Sequence, residues 1–387
     1  STTPDFGVQG SGSFNPTFNY SRQITLAPAT SITDSVVQIV LDTSNFNYSH
    51  VQSDGSDVRF YSASGATKYS YWIEQWDNTG TSKILVKIPA SGTSNFIFLY
   101  GNSALESESN ATSVFTLFDD FSGDSVNSDL WEGDTDYFDL CYGYLYPRYS
   151  SDDSCGYGYN NKRLTSKINF TGSFVAKTRV YTSTNGWGGY QPVGWFDDTC
   201  DNIGAGFSYY ETNTYVFDDC NEYTNEWRNY QGRWVQITLV ANGSKSMAYY
   251  YSESGASGSW AQYKNISIDN GGLDQEVLAL GRHNCECRET NSYYAFWDWI
   301  YVHKHDPLNP TVTIGSSESP NFPLDAVSNN ITFNITVADS YSLITNYTWI
   351  SSKDGYIGNA SSFTLNTSTL TLGNHTISVR FKDSSGS

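Results

Sequence analysis

Clusters of aspartates are the residues whose spacing most directly suggests chemistry. Several carboxylates in one loop repel each other unless a cation neutralises them, and carboxylate and carbonyl oxygens are the ligands that Ca²⁺ prefers. The sequence Phe-Asp-Asp precedes both Cys200 and Cys220, so a bridge between these cysteines would bring two clusters together. We expect calcium binding here, with solvated acidic loops as the alternative. The calcium candidates are Asp119, Asp120, Asp197, Asp198, Asp201, Asp218 and Asp219.

Tyrosines recur at every second position in one short segment. Because side chains alternate along a strand, Tyr142, Tyr144 and Tyr146 are expected on one face and Cys141 and Leu145 on the other. Aromatic rings beside carboxylates and amides are suited to stacking on sugars. Packing beneath a neighbouring sheet or domain is the alternative. The glycan-binding candidates are Tyr142, Tyr144, Tyr146, Trp187, Tyr190 and Trp195.

The cysteines all lie in the middle of the chain and are even in number. In a secreted protein this pattern favours disulfides, and we place a Cys200–Cys220 bridge first. The remaining four pair either between the first two and the last two or, in part, as a 141–155 bridge. A zinc site made by His283 with the last two cysteines is the rival. The six are Cys141, Cys155, Cys200, Cys220, Cys285 and Cys287.

One acidic segment is the nearest match to a glycosidase carboxylate pair. Retaining glycosidases of the concanavalin-type jelly roll carry two carboxylates on one strand, about 5.5 Å apart. Here Glu132, Asp134 and Asp136 have the right spacing, but Asp136 stands where a Glu is expected and Gly133 weakens the strand. We interpret the segment as an acidic turn and predict that the protein is not an enzyme.

Acceptor triplets for N-glycosylation are concentrated near the C-terminus, where six of the eight asparagines from Asn321 onward begin Asn-x-Ser/Thr. A glycan needs an exposed acceptor in a secreted protein, so this region is expected to face solvent outside the cell. Six further triplets lie upstream at a lower density. The acceptors are Asn19, Asn47, Asn110, Asn169, Asn242, Asn265, Asn330, Asn334, Asn346, Asn359, Asn366 and Asn374.

Composition agrees with an extracellular all-β protein. The chain is 16% aromatic, contains 30 Tyr and 32 Gly, and has a formal net charge of −19. Such a charge repels nucleic acid and anionic lipid, which excludes a function based on a basic patch and leaves cations and glycans as partners. No apolar run approaches the roughly 18 residues of a membrane span.

Residues 14–115 alternate apolar and polar side chains in the manner of an antiparallel sandwich, after an N-terminal extension at 1–13. The segment resembles an uncharacterised β-domain family of archaeal and bacterial surface proteins, to which no activity is attached. Glu74 and Trp76 suit a sugar site, but a half-buried strand with a polar face is the favoured interpretation. The matching motifs are Gly-Ser-Asp-Val-Arg-Phe at 55–60, Tyr-Trp-Ile-Glu-Gln-Trp at 71–76, Val-Lys-Ile-Pro at 86–89 and Leu-Tyr-Gly-Asn at 99–102.

Residues 116–305 open with Phe-Asp-Asp-Phe-Ser-Gly at 118–123 and close with Phe-Trp-Asp-Trp-Ile-Tyr-Val at 296–302. This pair of ends resembles the concanavalin/laminin-G type of jelly roll, in which the first and last strands lie side by side. The resemblance implies a second β-sandwich and a lectin-like role in recognition.

Four prolines then mark 306–323 as an extended linker. Residues 324–387, with Tyr-Thr-Trp at 347–349 and Leu-Gly-Asn-His-Thr-Ile at 372–377, are similar to the immunoglobulin-like repeats of the polycystic-kidney type on archaeal surface proteins. The sequence stops one strand earlier than such domains usually end. We therefore expect a strand from another copy or from chain outside this sequence, with Ser1 to Asn19 as a donor carrying Phe6, Phe14 and Phe18; a flexible tail is the alternative.

Together these features predict an all-β protein of three antiparallel β-sandwich domains. We expect a secreted, glycosylated cell-surface protein that acts in adhesion or as a subunit of a filament, sheath or surface layer, by self-association or by binding cell-surface glycans. A carbohydrate-binding lectin module is the first alternative. A glycoside hydrolase is the second.

Overall fold

The structure is a computed structural model of the chain. It describes residues 18–148, 162–182, 190–196, 202–207, 213–218, 221–227, 233–241, 246–254, 259–268, 273–281, 295–322, 330–334, 344–366 and 376–383. These residues are almost entirely β-structure in antiparallel sheets, which confirms the predicted all-β fold class. None of the described helices is long and apolar enough to cross a membrane.

The first domain is a sandwich of two sheets. Alternate residues of its strands face inward, so that Ile84, Val86 and Ile88 pack against Phe60 and Phe98, all with 0% exposure. One sheet has the order β4-β3-β7-β1, and the other has the order β2-β6-β5. The elements are β1 (Phe18–Ala27), β2 (Ser35–Asp42), β3 (Arg59–Ser62), β4 (Lys68–Tyr69), β5 (Tyr71–Gln75), β6 (Thr81–Ile88) and β7 (Asn95–Tyr100), with the 3₁₀ turn Tyr48–His50 and the short helix α1 (Ala111–Val114).

The middle domain is a second and larger sandwich. Its strands are β8 (Leu117–Asp119), β9 (Trp131–Gly133), β10 (Phe138–Cys141), β11 (Tyr144–Pro147), β12 (Arg163–Gly172), β13 (Phe174–Thr182), β14 (Tyr190–Phe196), β15 (Asn202–Phe207), β16 (Asn213–Asp218), β17 (Asn221–Trp227), β18 (Arg233–Ala241), β19 (Ser246–Ser254), β20 (Ser259–Ile268), β21 (Leu273–Gly281) and β22 (Ala295–Lys304), with a 3₁₀ turn at Thr135–Tyr137. The front sheet has the order β10-β11-β22-β13-β18-β19-β20, and the back sheet has the order β17-β16-β15-β14-β21-β12-β9. Between them lie Trp131, Trp195 and Trp297, each 0–1% exposed.

The two ends of the middle domain lie side by side, as the Phe118 and Phe296 motifs predicted. Strand β8 pairs with one edge of β22, with Tyr301 opposite Phe118 and Val302 opposite Leu117, and β13 pairs with the other edge. The chain therefore leaves the middle domain next to the point at which it enters.

The proline-rich segment does more than connect domains. It contains β23 (Thr311–Ile314) and β24 (Ser319–Phe322), and both pair with β1 of the first domain. Pro320 lies opposite Tyr20 at the outer side of the sheet, where a missing backbone donor is tolerated. The first sandwich is thus built from residues on both sides of the middle domain, which is inserted into it.

Glu318 fastens this returning segment. Its carboxylate accepts a 2.5 Å hydrogen bond from the Tyr100 hydroxyl and lies 3.3 Å from the Arg22 guanidinium and 3.0 Å from Nδ1 of His50. Three side chains of the first domain therefore bind one carboxylate, and this carboxylate comes after the middle domain in the sequence. This arrangement favours one fixed relation between the two sandwiches.

The interface between the first two domains is aromatic and has a buried ion pair. Trp72 packs edge-on against Tyr301, and Phe115 stacks on the same ring at 4.2 Å. Beside them, Lys177 Nζ lies 2.6 Å from Glu74 Oε1, and the two side chains are only 11% and 4% exposed. The Tyr301 hydroxyl donates to the same oxygen at 3.1 Å. Burial, followed by the Glu74 carboxylate, raises the pKa of Tyr301, so its hydroxyl stays protonated as a donor.

The described strands of the C-terminal segment form two small antiparallel sheets. They are β25 (Asn330–Asn334), β26 (Ile344–Ser351), β27 (Gly355–Gly358), β28 (Ser362–Asn366) and β29 (Ile377–Asp383), paired as β25-β28 and β27-β26-β29. Phe333, Trp349 and Phe363 pack between them with centroid distances of 5.2–5.6 Å. The last two residues of the predicted donor, Phe18 and Asn19, belong instead to β1 of the first domain, where Phe18 lies opposite Phe322 and is fully buried. Residues 1–17 lie outside the described residues, so strand exchange by them stays a prediction.

Replacing one member of the interdomain ion pair should destabilise the protein. Glu74→Gln leaves the Lys177 ammonium buried without a counter-charge, which costs about 3 kcal/mol in the free energy of unfolding. The double variant Glu74→Leu/Lys177→Met should recover most of this loss. Denaturant titration measures both. The matched control is Lys68→Met, which breaks an ion pair with Glu108 whose side chains are 48% and 44% exposed and should cost less than about 1 kcal/mol. An equal, small loss in both single variants would contradict the assignment.

Candidate functional site

Four aromatic rings form a line across the outer face of the front sheet. They are contributed by adjacent strands: Tyr146 by β11, Phe296 by β22, Tyr181 by β13 and Trp234 by β18. The register places Tyr181 opposite both Phe296 and Trp234. Leu145 lies opposite Trp297, which puts Tyr146 opposite Phe296. We call these four residues the aromatic row.

Strand alternation explains why the row faces outward. Each ring is next in sequence to a residue of the core, namely Leu145, Trp297, Val180 and Val235, and all four of these have 0% exposure. The rings therefore point to the opposite side of the sheet, where they are partly exposed. The core fixes the strands, and the strands fix the row.

The rings of the row contact one another and are held in place. Phe296 stacks on Tyr146 at 4.8 Å and on Tyr181 at 4.6 Å, with interplanar angles of 16° in both pairs. Trp234 meets Tyr181 edge-on at 5.4 Å, and Tyr144 packs beside Trp234 at 5.2 Å. With strands spaced by about 4.8 Å, the row is roughly 14 Å long. It is a preorganised apolar strip.

Charged groups flank the strip on both sides. The Arg179 guanidinium lies over the Trp234 ring, 3.9 Å from its centroid, and is 2.5 Å from Asp298 Oδ2. A register shift beside Arg179 identifies a β-bulge at Asp298, and bulges redirect side chains in this way. At the other end, Arg148 lies 2.9 Å from Asp139, which is opposite Tyr146 in the sheet. An apolar strip with a few fixed polar groups is a common arrangement in ligand sites.

The structure places the tyrosine and tryptophan candidates in different environments. Tyr144 and Tyr146 belong to the candidate site. Tyr142 does not, because it lies in the β10–β11 turn with φ of 55° and is 87% exposed, so the turn interrupts the alternation. Trp195 is fully buried in the core and cannot stack on a sugar in this structure. Trp187 and the side chain of Tyr190 lie outside the described residues.

Three members of the row were missed from the sequence. Tyr181 ends an alternating strand, Trp234 begins one, and Phe296 precedes a core tryptophan. Each of the three lies in an alternating pattern that is typical of a strand, and alternation alone indicates the outward face. What no local pattern shows is that the three positions become neighbours.

Among the calcium candidates, the first aspartate pair makes local contacts. Asp119 accepts a 2.7 Å hydrogen bond from Nε1 of Trp131, and burial raises the pKa of its carboxyl. Asp120 accepts from the Ser122 hydroxyl at 2.7 Å. The described part of the chain contains no cluster of three or more His, Cys, Asp or Glu side chains suited to a metal. Asp197, Asp198, Asp201, Asp219 and the side chain of Asp218 lie outside it, so calcium binding stays a prediction.

The carboxylates of the acidic segment do not share one strand. Glu132 is exposed on β9, the chain turns at Gly133 with φ of +90°, and Asp134 begins the following 3₁₀ turn. Asp134 lies 3.4 Å from Lys162 Nζ and accepts from the Arg163 backbone amide at 3.2 Å. This is the geometry of an acidic turn, and it differs from the strand-borne pair of a retaining glycosidase.

The predicted modification sites are described only in part. Cys141 is buried at the end of β10 and is not a free thiol. The other five cysteines and His283 lie outside the described residues, so the disulfide pairing stays a prediction. The acceptors with exposed side chains in the structure are Asn19, Asn47, Asn110, Asn169 and Asn359.

Comparison with known proteins gives one family match. A family model described as a domain of unknown function (DUF2341) matches residues 54–134, in the first domain and the start of the second. No curated protein matches the sequence.

Several solved structures are similar at low identity. They include the GH43 protein BlXynB from Bacillus licheniformis, at 15% identity and a TM-score of 0.34 over 60% of this chain, and the chain spans 46% of that protein. A β-1,3-1,4-glucanase (lichenase) from a mouse hindgut metagenome has 12% identity and a TM-score of 0.34, over 49% of this chain and 99% of that one. The family GH16 endo-β-1,3(4)-glucanase SCLam has 11% identity and a TM-score of 0.35, over 49% and 90%. Likeness at this level carries no inference about activity.

The interdomain interface contains a histidine whose titration is testable. Burial lowers the pKa of His303 from 6.5 to about 4, while its Nδ1 lies 2.7 Å from the Lys304 carbonyl oxygen. Between these two pH values the unfolded chain binds a proton that the folded protein does not. The contribution of neutral His303 to the free energy of unfolding should therefore be fully present above pH 6.5 and lost as the pH falls toward 4.

Denaturation of the wild type and of His303→Gln between pH 7 and 4 measures this contribution. The wild type should lose more stability than the variant over that range, and the His303 proton resonances should shift only near pH 4. A midpoint near 6.5 would show that the imidazole is solvated in the folded protein.

Proposed function

We propose that this chain is an extracellular carbohydrate-binding protein whose aromatic row binds one face of a linear glycan. The observation that carries the proposal is the register that aligns Tyr146, Phe296, Tyr181 and Trp234 across four strands. The apolar faces of pyranose rings pack against aromatic side chains, and a strip of roughly 14 Å matches two or three consecutive sugars better than a single one.

The charged pairs beside the row fix the orientation of the bound glycan. Arg179 and Asp298 hold each other in place, which leaves a fixed donor and a fixed acceptor next to Trp234. Sugar hydroxyl groups need both kinds of partner. The pairs thus orient a chain of sugars that the rings alone would bind in several registers.

Binding without cleavage is part of the proposal. The acidic turn at Glu132 lies on the back sheet, whereas the row lies on the front sheet, and Asp134 is engaged by Lys162 and Arg163. Near the row, the described carboxylates of Asp139 and Asp298 are each paired with an arginine. An arginine partner favours the ionised form and works against a general acid.

A role in adhesion or in a surface structure is the second candidate. The exposed acceptor asparagines support a secreted glycoprotein, and the insertion of one sandwich into the other supports a stiff two-domain unit. A glycan-binding face on such a unit would attach it to a coated cell surface. Self-association remains compatible with this role.

Truncating one ring tests the binding function. In Trp234→Ala, affinity for a glycan identified on an array should fall about tenfold, since a stacked ring contributes roughly 1–2 kcal/mol. Tyr181→Ala should act in the same direction. The control is Tyr356→Ala, because Tyr356 is 62% exposed and belongs to β27 in a separate C-terminal sheet. Calorimetry measures affinity and circular dichroism checks the fold. Equal affinity in all three variants would eliminate the row as the site.

Incubation with the bound glycan tests the absence of cleavage. We expect no release of reducing ends over a day at neutral pH. If ends are released, Glu132→Gln identifies the source: loss of release in that variant would establish a hydrolase at the acidic turn and overturn this part of the proposal.

A further inference from the structure

A deep cleft separates the first domain from part of the front sheet. Its walls are the outer side of β2 and β6 in the first domain and the outer side of β13 and β18 in the middle domain, and β23 closes one end. Its volume is about 1010 Å³. Ligand pockets commonly have volumes of roughly 300–1,000 Å³, so the cleft has room for several sugar units.

One ammonium group in this cleft has no direct ion-pair partner among the described residues. Lys83 of β6 lines the cleft and is half-buried, and within the part of the chain that the structure describes its ammonium group has neither a hydrogen bond nor an ion pair. Burial, and then the nearby Lys177 ammonium, lowers the pKa of Lys83, and the Glu74 carboxylate only partly opposes this shift. A cation held in this way is stabilised by any anion that enters beside it.

The nearby carboxylates are already engaged. Glu74 is bonded to Lys177 at 2.6 Å, to the Tyr301 hydroxyl and to Nε2 of Gln38 at 3.4 Å. Asp306, at the other end of the cleft, accepts from the Ser31 amide at 2.8 Å and from its hydroxyl. Burial acts to raise the pKa of Asp306, but the Ser31 hydrogen bonds outweigh it and hold the pKa below its usual value. Neither carboxylate pairs with Lys83.

The rest of the lining is suited to hydroxyl groups. Gln38, Gln236 and Thr238 line the walls, and Thr311 and Thr313 lie at the end formed by β23. Amide and hydroxyl side chains both donate and accept, as sugar hydroxyls do. A purely ionic site would not need them.

The cleft and the aromatic row share one face of one sheet. On β18, Trp234 of the row and Gln236 and Thr238 of the cleft alternate along the strand, and on β13 Tyr181 is followed inward by Arg179 and Lys177. Two residues span about 6.6 Å of strand, so a short saccharide reaches from one to the other.

We infer that the interdomain cleft binds the carboxylate group of an acidic sugar, with Lys83 as its ionic partner. The choice of a sugar as the carrier rests on the function proposed above. The ammonium–carboxylate contact does not, because it depends only on a half-buried ammonium in the cleft that has no ion pair among the described residues. The protein would thus select uronate-containing glycans, although its own net charge is −19.

The test compares a galacturonate trimer with its methyl ester, which has the same shape and no charge. The full chain should bind the acid about tenfold more tightly, since a charge-assisted hydrogen bond replaces a neutral one. Lys83→Gln should abolish this preference by lowering the affinity for the acid to about that for the ester. Trp234→Ala should weaken both ligands and preserve their ratio.

The control variant is Lys87→Gln. Lys87 lies on the same face of β6 four residues away and pairs at 3.8 Å with Asp34, outside the cleft, so the same charge is removed. It should keep the acid preference. A preference that survives Lys83→Gln, or equal affinity of the wild type for acid and ester, would overturn the inference.

Two further outcomes separate this inference from the proposed function. If neither trimer binds but a neutral glycan binds in a Trp234-dependent way, the inference of an acidic sugar is rejected and the proposed function is retained. Tighter Lys83-dependent binding of an aspartate-rich peptide than of the trimer would identify a peptide carboxylate as the ligand and reject the sugar.

Discussion

The pairing of β1 with both β7 and β23–β24 is the constraint on which the rest of the structure depends. One strand near the start of the chain holds partners from before and after the middle domain, so the middle sandwich is tethered at both ends. Glu318 reinforces this closure through Arg22, His50 and Tyr100. Two tethers remove far more freedom between domains than one linker does, because each closes a loop. The front sheet is therefore presented in one orientation.

That orientation divides the front sheet into two regions. Trp72 and Phe115 cover Tyr301, and the Glu74–Lys177 pair lies beside them in the interface. The ion pair contributes more to orientation than to stability, since burial of two charges offsets much of their attraction. The rest of the outer face remains open, with the aromatic row on one side and the cleft on the other. The first domain covers only part of the front sheet. The aromatic row lies on the uncovered part, and the cleft lies where the two domains approach each other.

Much of the architecture follows from local patterns in the sequence. Period-2 alternation predicted the strands, and the motifs at the two ends of the middle domain predicted the pairing of β8 with β22. The site was predictable only where its residues are close in sequence, as Tyr144 and Tyr146 are. Tyr181, Trp234 and Phe296 lie dozens of residues apart and meet only through strand order and register, which depend on long-range pairing. The ion pair between Glu74 and Lys177 was not predictable from the sequence, because the two residues belong to different domains.

The central claim is that the outer face of the front sheet is a sugar-binding surface. A crystal structure with a glycan selected on an array tests this most directly, because it locates the ligand without relying on substitutions. We predict sugar rings packed against the solvent-facing surface of Trp234, Tyr181 and Phe296, with a hydroxyl group within hydrogen-bond distance of Arg179 or Asp298. A glycan bound to the back sheet or to the C-terminal strands, with the row unoccupied, would contradict the account.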